Sequence, residues 1–267
     1  VPEGDTVYRT AAHLHETIGG QVLTRSDFRV PKFATLDLAG QEVDEVVSVG
    51  KHILHRVGDL TIHSHLKMEG SWHIYQHGTA WRRPSFEARV VLETAERVTV
   101  GFSLGVLEVI PRDQEHTVVG HLGPDILGPD WGDAAAEEIV RRISAQPDRA
   151  IGLALLDQRN AAGIGNVYRA ELCFLRGVLP TRPVSEVPDL PAMVALARRT
   201  MRANRDRIER TTTGDLRRGR TDWVYGRKGK PCLRCGTRIQ QGQLGDPVRP
   251  GMGAQDRVTY WCPRCQT

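Results

Sequence analysis

Two places in this chain combine residue types that do chemistry at short spacing. The first is the run Val1-Pro2-Glu3-Gly4-Asp5-Thr6. With Val1 removed, the Pro2 nitrogen is a free secondary amine. An α-amino group titrates near pH ~7.7–8.0, so an appreciable fraction is unprotonated and nucleophilic at neutral pH. Attack by such an amine on a sugar C1′ gives an iminium, and the Glu3 carboxylate is placed to supply or take the proton that opens the ring. With Val1 retained, the same nitrogen is a tertiary amide and this chemistry is closed. Val1 is read as the product of a non-ATG start codon, so that the first residue is Met, removed readily before Pro. Taken alone, Pro2-Glu3 would be a frayed terminus; the remainder of the chain reverses that preference.

The second place is the pair Cys232-x-x-Cys235 and Cys262-x-x-Cys265, separated by 26 residues. Each pair can set two thiolates on one metal, and four thiolates on a tetrahedral centre build a zinc ribbon. A closed four-cysteine site leaves no open position, so one Zn2+ is expected there with a structural role. Arg234, Arg238 and Arg264 would offset its negative charge. Two disulfides are the alternative, of little weight in a reducing cytoplasm. The segment between the pairs suits a β-hairpin with Arg257 on its returning strand. Cys173, standing alone, is expected as buried apolar filler.

Two further stretches carry polar groups at suggestive positions. In Asp157-Gln158-Arg159-Asn160-Ala161-Ala162-Gly163-Ile164-Gly165-Asn166-Val167-Tyr168, glycines that allow positive φ join two helices, with Asn166 near the start of the second. Backbone N–H groups at that helix start, with Asn166, suit a phosphate; an ordinary helical hairpin is the bland alternative. Gly50-Lys51-His52 sets a cation after a turn glycine, and His63-Ser64-His65-Leu66-Lys67-Met68-Glu69-Gly70-Ser71-Trp72 follows. Alone, Lys51 is a surface lysine and Met68 a core or edge residue. His63 and His65 share one strand face, but two histidines make an incomplete metal site, so a structural or DNA-proximal role is expected.

The elements that must position these residues follow from patterning. Asp5 or Thr6 can cap a helix whose apolar residues Val7, Ala11, Leu14 and Ile18 share a face, closed by Gly19-Gly20. From Gln21 to about Pro111 the pattern turns to β-type runs at Glu45 to Val49, His52 to Val57, Leu60 to His65, Glu87 to Leu92 and Val98 to Phe102, punctuated by glycines. An antiparallel sandwich is expected. The stretch from His116 to Trp131, with Gly123-Pro124-Asp125 and Gly128-Pro129-Asp130, breaks both periodicities and marks an interdomain connection. Helices are then expected near Asp133 to Ala145, Arg149 to Gln158, Asn166 to Leu175 and Pro188 to Arg210, and a terminal unit from about Trp223 carries the cysteines.

At 267 residues, 40% hydrophobic and 25% charged, the chain has an ordinary globular composition with a soft prior for two domains. No 18-residue apolar run and no signal-peptide pattern is present, which suggests the cytoplasm and no membrane. The net charge of +4 conceals an asymmetry: Ala195 to Arg238 holds 14 Lys and Arg against 4 Asp and Glu, and the remainder is net acidic. A basic block this concentrated suggests a polyanion partner.

Taken together, Pro2-Glu3-Gly4-Asp5, Gly50-Lys51, Gly163-Ile164-Gly165-Asn166, Val224-Tyr225-Gly226-Arg227 and the paired cysteines resemble the formamidopyrimidine-DNA glycosylase and endonuclease VIII family, across essentially the whole chain. Within it the chain is most similar to the second paralogue group of actinobacterial endonuclease VIII proteins. The resemblance implies an α+β fold: an N-terminal antiparallel β-sandwich with an N-terminal helix (1–120), a linker (121–131), a helix-two-turn-helix DNA-binding domain (132–222) and a four-cysteine zinc ribbon (223–267). It implies a bifunctional DNA glycosylase and AP lyase of base excision repair, acting as a monomer on damaged DNA with the nucleotide flipped into an interdomain cleft, at a cost of roughly a few kcal/mol. By the same resemblance Pro2 is the Schiff-base nucleophile and Glu3 the proton donor to the sugar ring oxygen. Lys51 holds a phosphate and assists β-elimination, Arg257 holds the lesion phosphate and assists δ-elimination, and Asn166 contacts DNA. Met68 fills the gap left by the extruded nucleotide, a place an unbranched thioether suits.

Three departures bear on substrate. Purine-type members carry an Arg-Arg-Phe-Gly loop that contacts the base opposite the lesion; the matching stretch here is Phe102-Ser103-Leu104-Gly105. They also carry a longer loop before Val224-Tyr225-Gly226-Arg227, where only Thr211 to Trp223 is available. Both favour oxidised pyrimidines over a purine-type lesion. The third is an extension of roughly ten residues within the zinc segment relative to the family, around Gly245 to Ala254, expected as a mobile loop. A non-catalytic DNA-binding relative is the reading from another class, favoured if Val1 is retained.

Overall fold

The computed structural model describes residues 2–246 and 256–267. Val1, and with it the reading of its removal, lies outside the described residues, as do positions 247–254 of the Gly245 to Ala254 extension. The chain divides into two compact units, Val1–His121 and Leu122–Thr267, and the architecture is mixed α+β.

The first unit is a helix on a two-sheet sandwich. Helix α1 (Gly4–Ile18) leads into β1 (Gln21–Val22), β2 (Arg25–Phe28), β3 (Glu42–Val49), β4 (His52–Val57), β5 (Leu60–His65), β6 (Ser71–Tyr75), β7 (Ala88–Glu93), β8 (Val98–Phe102), β9 (Val106–Pro111) and the one-turn helix α2 (His116–Val119). One sheet runs β1-β3-β4-β5-β9 and the other β2-β7-β8-β6, with every pairing antiparallel. Val7, Ala11, Leu14 and Ile18 bury one face of α1 among Leu23, Phe28, Val46, Ile53, Ile62 and Val90 of the sandwich. The spacing of those four residues therefore selects the face that anchors the N-terminus.

The chain enters α1 differently from the expectation. Glu3, in extended conformation, is the N-cap residue, and its carbonyl accepts from Val7 N at 3.0 Å. Neither Asp5 nor Thr6 caps the helix; Asp5 instead takes the Thr6 N–H within the first turn at 2.8 Å. Gly19 and Gly20 end it as expected, Gly20 at φ 71°.

In the second unit α3 (Asp133–Ser144), α4 (Ile151–Leu156), α5 (Asn166–Leu175) and α6 (Leu190–Asn204) precede the hairpin β10 (Gln240–Leu244) and β11 (Arg257–Trp261). Two helices are shorter than their periodicity suggests. Helix α4 stops at Leu156 because Asp157 takes an extended ψ of 109° and turns its carboxylate onto Arg159 N. Helix α6 stops at Asn204, not Arg210, because the buried Asn204 side chain donates to the Thr200 and Thr211 carbonyls and accepts from Thr211 N. Local periodicity cannot register a side chain that competes for the backbone.

Helix α5 is buried nearly all round, and its Glu171 is fully buried. The carboxylate accepts from the backbone N–H groups of Trp223, Val224 and Tyr225 at 2.8–2.9 Å and from the Thr212 hydroxyl, fixing the start of the Val224-Tyr225-Gly226-Arg227 turn on α5. Orphaning these donors is costly. We expect Glu171→Ala to lower stability by about 3 kcal/mol or more, read as a fall in the urea midpoint, with Glu171→Gln intermediate because one oxygen remains.

Candidate functional site

Pro2 is half-buried at the head of α1, and Glu3 next to it is 0% exposed. A carboxylate at the N-cap lies at the positive end of the helix dipole. Lys51 sits at the tip of a two-residue hairpin, Gly50-Lys51, that joins β3 to β4 with Val49 paired to His52. Gly50 has φ 60°, and positive φ at the first central residue matches the twist of the flanking strands. Because α1 packs on β3 and β4, one packing arrangement holds both the N-terminal residues and this hairpin.

Beside Lys51 the sheet register assembles histidines. His52 Nδ1 and His63 Nε2 are 2.7 Å apart across β4 and β5, their rings stacked at 5.0 Å, and His63 Nδ1 lies 3.1 Å from Glu108 Oε2 on β9. Protons in the neutral chain are thereby ordered: His63 donates from Nδ1 to Glu108 and accepts at Nε2 from His52. His65 Nδ1 accepts from Lys67 N at 2.9 Å. Burial pushes His52 down to about 3, with the charges of His63, His65, His121 and Lys67 adding, and pushes His65 down to about 4, with Lys67 and Lys51 adding. The cluster is therefore uncharged at neutral pH. It does not gather three ligands on one point; among the described residues only the four cysteines do so. His63 and His65 were legible as a strand-face pair, whereas the partners that matter, His52 and Glu108, lie across strands.

His55, fully buried against Trp72 with ring centroids 4.5 Å apart, is likewise driven down to about 3 by burial. Its folded pKa lies below the unfolded value near 6.5, so the unfolded chain takes up a proton that the folded one refuses. Stability should therefore fall as pH drops from about 6.5 toward 3, by about 1.4 kcal/mol per pH unit from this residue alone. Calorimetric Tm at pH 7.5 and 5 should show this slope, and His55→Asn should reduce it, with His52 and His65 supplying what remains.

Met68 is 68% exposed, not a core or edge filler. It sits in the turn between β5 and β6, where Lys67 has φ 54°. The Phe102-Ser103-Leu104-Gly105 turn presents no comparable side chain, since Leu104 is 8% exposed and packs at Gly101 beside Trp72 and Val90.

In the second unit the Gly163 turn (φ 102°) is closed by Gln158, which accepts from Gly163 N at 3.1 Å and donates to the Ile164 carbonyl at 2.9 Å. Asn166 opens α5 behind the N-cap Gly165. Its amide donates to the Val258 carbonyl at 2.8 Å, as does Arg169 at 2.7 Å. That ties the turn to β11 next to Arg257, which is exposed and pairs with Leu244. The four cysteines are free thiols whose sulfurs lie within 4.8 Å of one another. A tetrahedral ion bonded at about 2.3 Å needs S···S near 3.8 Å, so the cluster fits a metal. It packs on α5 through Ala170 and Phe174, and Arg234 lies over the Phe174 ring at 4.5 Å.

Comparison with known proteins identifies the family. The formamidopyrimidine-DNA glycosylase N-terminal domain matches residues 1–103, and the formamidopyrimidine-DNA glycosylase H2TH domain matches residues 122–214. The probable endonuclease 8 2 of Streptomyces coelicolor is 52% identical over all of this chain and 94% of its own length. The chain belongs to the formamidopyrimidine-DNA glycosylase/endonuclease VIII family. Another relative, the DNA-(apurinic or apyrimidinic site) lyase Nei2 of Mycolicibacterium smegmatis, is 51% identical over 100% of this chain and 99% of its own. Among solved structures, MutM in complex with carbocyclic 8-oxo-G containing DNA superposes with TM-score 0.77 at 21% identity, covering both chains in full. The Lactococcus lactis formamidopyrimidine-DNA glycosylase bound to an abasic-site DNA gives 0.77 at 21% over 99% of each. At that identity the likeness is one of fold. No described helix is long and apolar enough to cross a membrane.

Proposed function

We propose that Pro2, freed of Val1, attacks C1′ of a damaged nucleotide while Glu3 protonates the sugar ring oxygen, and that the preferred lesions are oxidised pyrimidines. The reaction class is that of the family, a bifunctional DNA glycosylase and AP lyase of base excision repair. The observation that carries the residue assignment is the pairing of a proline nitrogen with a fully buried carboxylate at the head of an anchored helix. Departure of the base leaves a covalent iminium, and elimination then breaks the C–O bonds to the flanking phosphates. Lys51 at its hairpin tip and Arg257 on β11 are assigned to phosphates for the β- and δ-steps, Asn166 to backbone contact, and Met68 to the gap in the duplex. One structural Zn2+ in the cysteine cluster, a monomeric state and a cytoplasmic setting complete the reading. The buried Leu104 supports the pyrimidine preference, because the turn that carries an opposite-base arginine in purine-type members carries no arginine here.

Borohydride trapping on duplexes carrying an abasic site, an oxidised pyrimidine or 8-oxoguanine tests this. Adduct on the first two and little on the third is expected; strongest adduct on 8-oxoguanine would establish the purine-type alternative. No adduct on any duplex, with intact mass showing residue 1 absent, would identify a DNA-binding relative without catalysis.

A further inference from the structure

Arg83 lies in the segment between β6 and β7, and its guanidinium reaches four acceptors on three stretches of chain. Nε donates to Glu87 Oε2 at 2.7 Å, Nη1 to the Glu69 carbonyl at 2.9 Å and the Ser71 hydroxyl at 3.0 Å, and Nη2 to the Ser103 hydroxyl at 3.0 Å. Its Cζ also lies 5.6 Å from the centre of the Phe102 ring. The Arg83–Glu87 pair is an ordinary i,i+4 contact that by itself carries little. The remaining bonds are different in kind: they join the turn that bears Met68 to the turn that follows β8.

Both turns hold unusual backbone. Lys67 (φ 54°) and Ser103 (φ 45°) are two of the three non-glycine residues with positive φ among the described residues. Such conformations persist only where their surroundings over-determine them. The turns also interlock directly. Gly105 N donates to the His65 carbonyl at 3.0 Å, and a Cβ on Gly105 would come within 2.2 Å of Lys67 Cγ. Of the two turns only the first offers a large exposed side chain, Met68 at 68% against Leu104 at 8%.

We propose that Arg83 is a positioning residue, a fork that locks the Met68 turn onto the Phe102-to-Gly105 turn and so holds the thioether at a fixed height for the gap in the duplex. This rests on the reading of Met68 as the gap-filling residue. The second turn, which has no arginine, then serves as an abutment. A planar guanidinium is required, because a lysine ammonium is a single point on a flexible stem and cannot bridge acceptors on both turns at once.

The test uses a duplex with a tetrahydrofuran abasic analogue and 2-aminopurine opposite it, whose fluorescence rises when the opposite base is unstacked. At saturating wild-type protein a gain is expected. In Arg83→Lys the gain should fall to less than about half, and base release from a damaged duplex should slow about 10- to 100-fold, the usual scale for a misplaced contact. Affinity for the duplex should stay nearly unchanged, since the charge remains. The double variant Ser71→Ala/Ser103→Ala removes two acceptors while leaving Arg83 paired with Glu87. It should show the same loss, and it decides the matter if the arginine variant fails to fold. A role confined to stability would lower Tm but leave the fluorescence gain at saturation intact, and that result overturns the proposal. Wild-type protein that binds damaged duplex without any gain would remove the gap-filling role of Met68 and the clamp with it. Wild-type protein that fails to bind damaged DNA would contradict the proposed function itself.

Discussion

Glu3→Gln is expected to cut release of a damaged base by about 10²–10⁴-fold, with duplex affinity nearly unchanged. Glu3 is wholly buried at the N-cap of α1, so its carboxyl is not displayed for electrostatic attraction, and the proposed function uses it as the proton donor. The neutral isostere keeps the shape of the side chain and removes the transferable proton. Cleavage at a preformed abasic site, where no base need leave, should suffer much less. Acetylation of the Pro2 nitrogen, which makes it a tertiary amide, should abolish the borohydride adduct on the same substrates. Single-turnover rates on damaged and abasic duplexes, with filter-binding affinities alongside, check the pair. If Glu3→Gln lost affinity by the same factor as rate, the residue would be a binding or folding element and the proton-donor role would fall.

Cys232→Ser is expected to abolish DNA binding across all substrates, because the cysteine cluster is part of a larger core. Cys232 and Cys262 are buried with Ala170, Phe174, Val224 and Ile239, and Tyr260 and Trp223 pack against them. A four-thiolate zinc site contributes apparent binding energies of about 10–16 kcal/mol in small domains, enough to decide whether the hairpin β10–β11 forms. Losing it frees β11, and with it Arg257 and the Val258 carbonyl that Asn166 and Arg169 hold. Metal content by atomic absorption should fall from one zinc per chain to none, with loss of near-ultraviolet circular dichroism from Trp223, Tyr225 and Tyr260. A variant that keeps its fold and its affinity without metal would show that the cluster is dispensable.

The sequence by itself determined the elements whose signals are local. A 3.6-residue apolar repeat with a Gly-Gly stop specified α1. Short β-type runs specified β4, β5 and β8 to the residue, and α5 likewise followed its repeat. The paired cysteines specified a metal-sized cluster, because a C-x-x-C turn places its own two thiols and needs the tertiary fold only to bring the pairs together. Family resemblance, carried by five short motifs in order, specified the reaction class.

What only the tertiary structure decided are contacts between residues distant in the chain. His63 pairs with His52 and Glu108 because β4, β5 and β9 are hydrogen-bonded in one register; a one-residue slip would turn the histidines to opposite faces. Arg83 has no sequence signature, being one of two adjacent arginines in a loop, and its acceptors lie between 4 and 20 residues away. Glu171 falls in the middle of a largely buried helix, where its carboxylate meets backbone donors some fifty positions later. The early ends of α4 and α6 have the same origin, since Asp157 and Asn204 redirect the backbone through side-chain hydrogen bonds that a periodicity cannot contain. Periodicity reports which side of an element is buried; which atoms meet there depends on register and on loops folding back, and these are properties of the whole assembled unit.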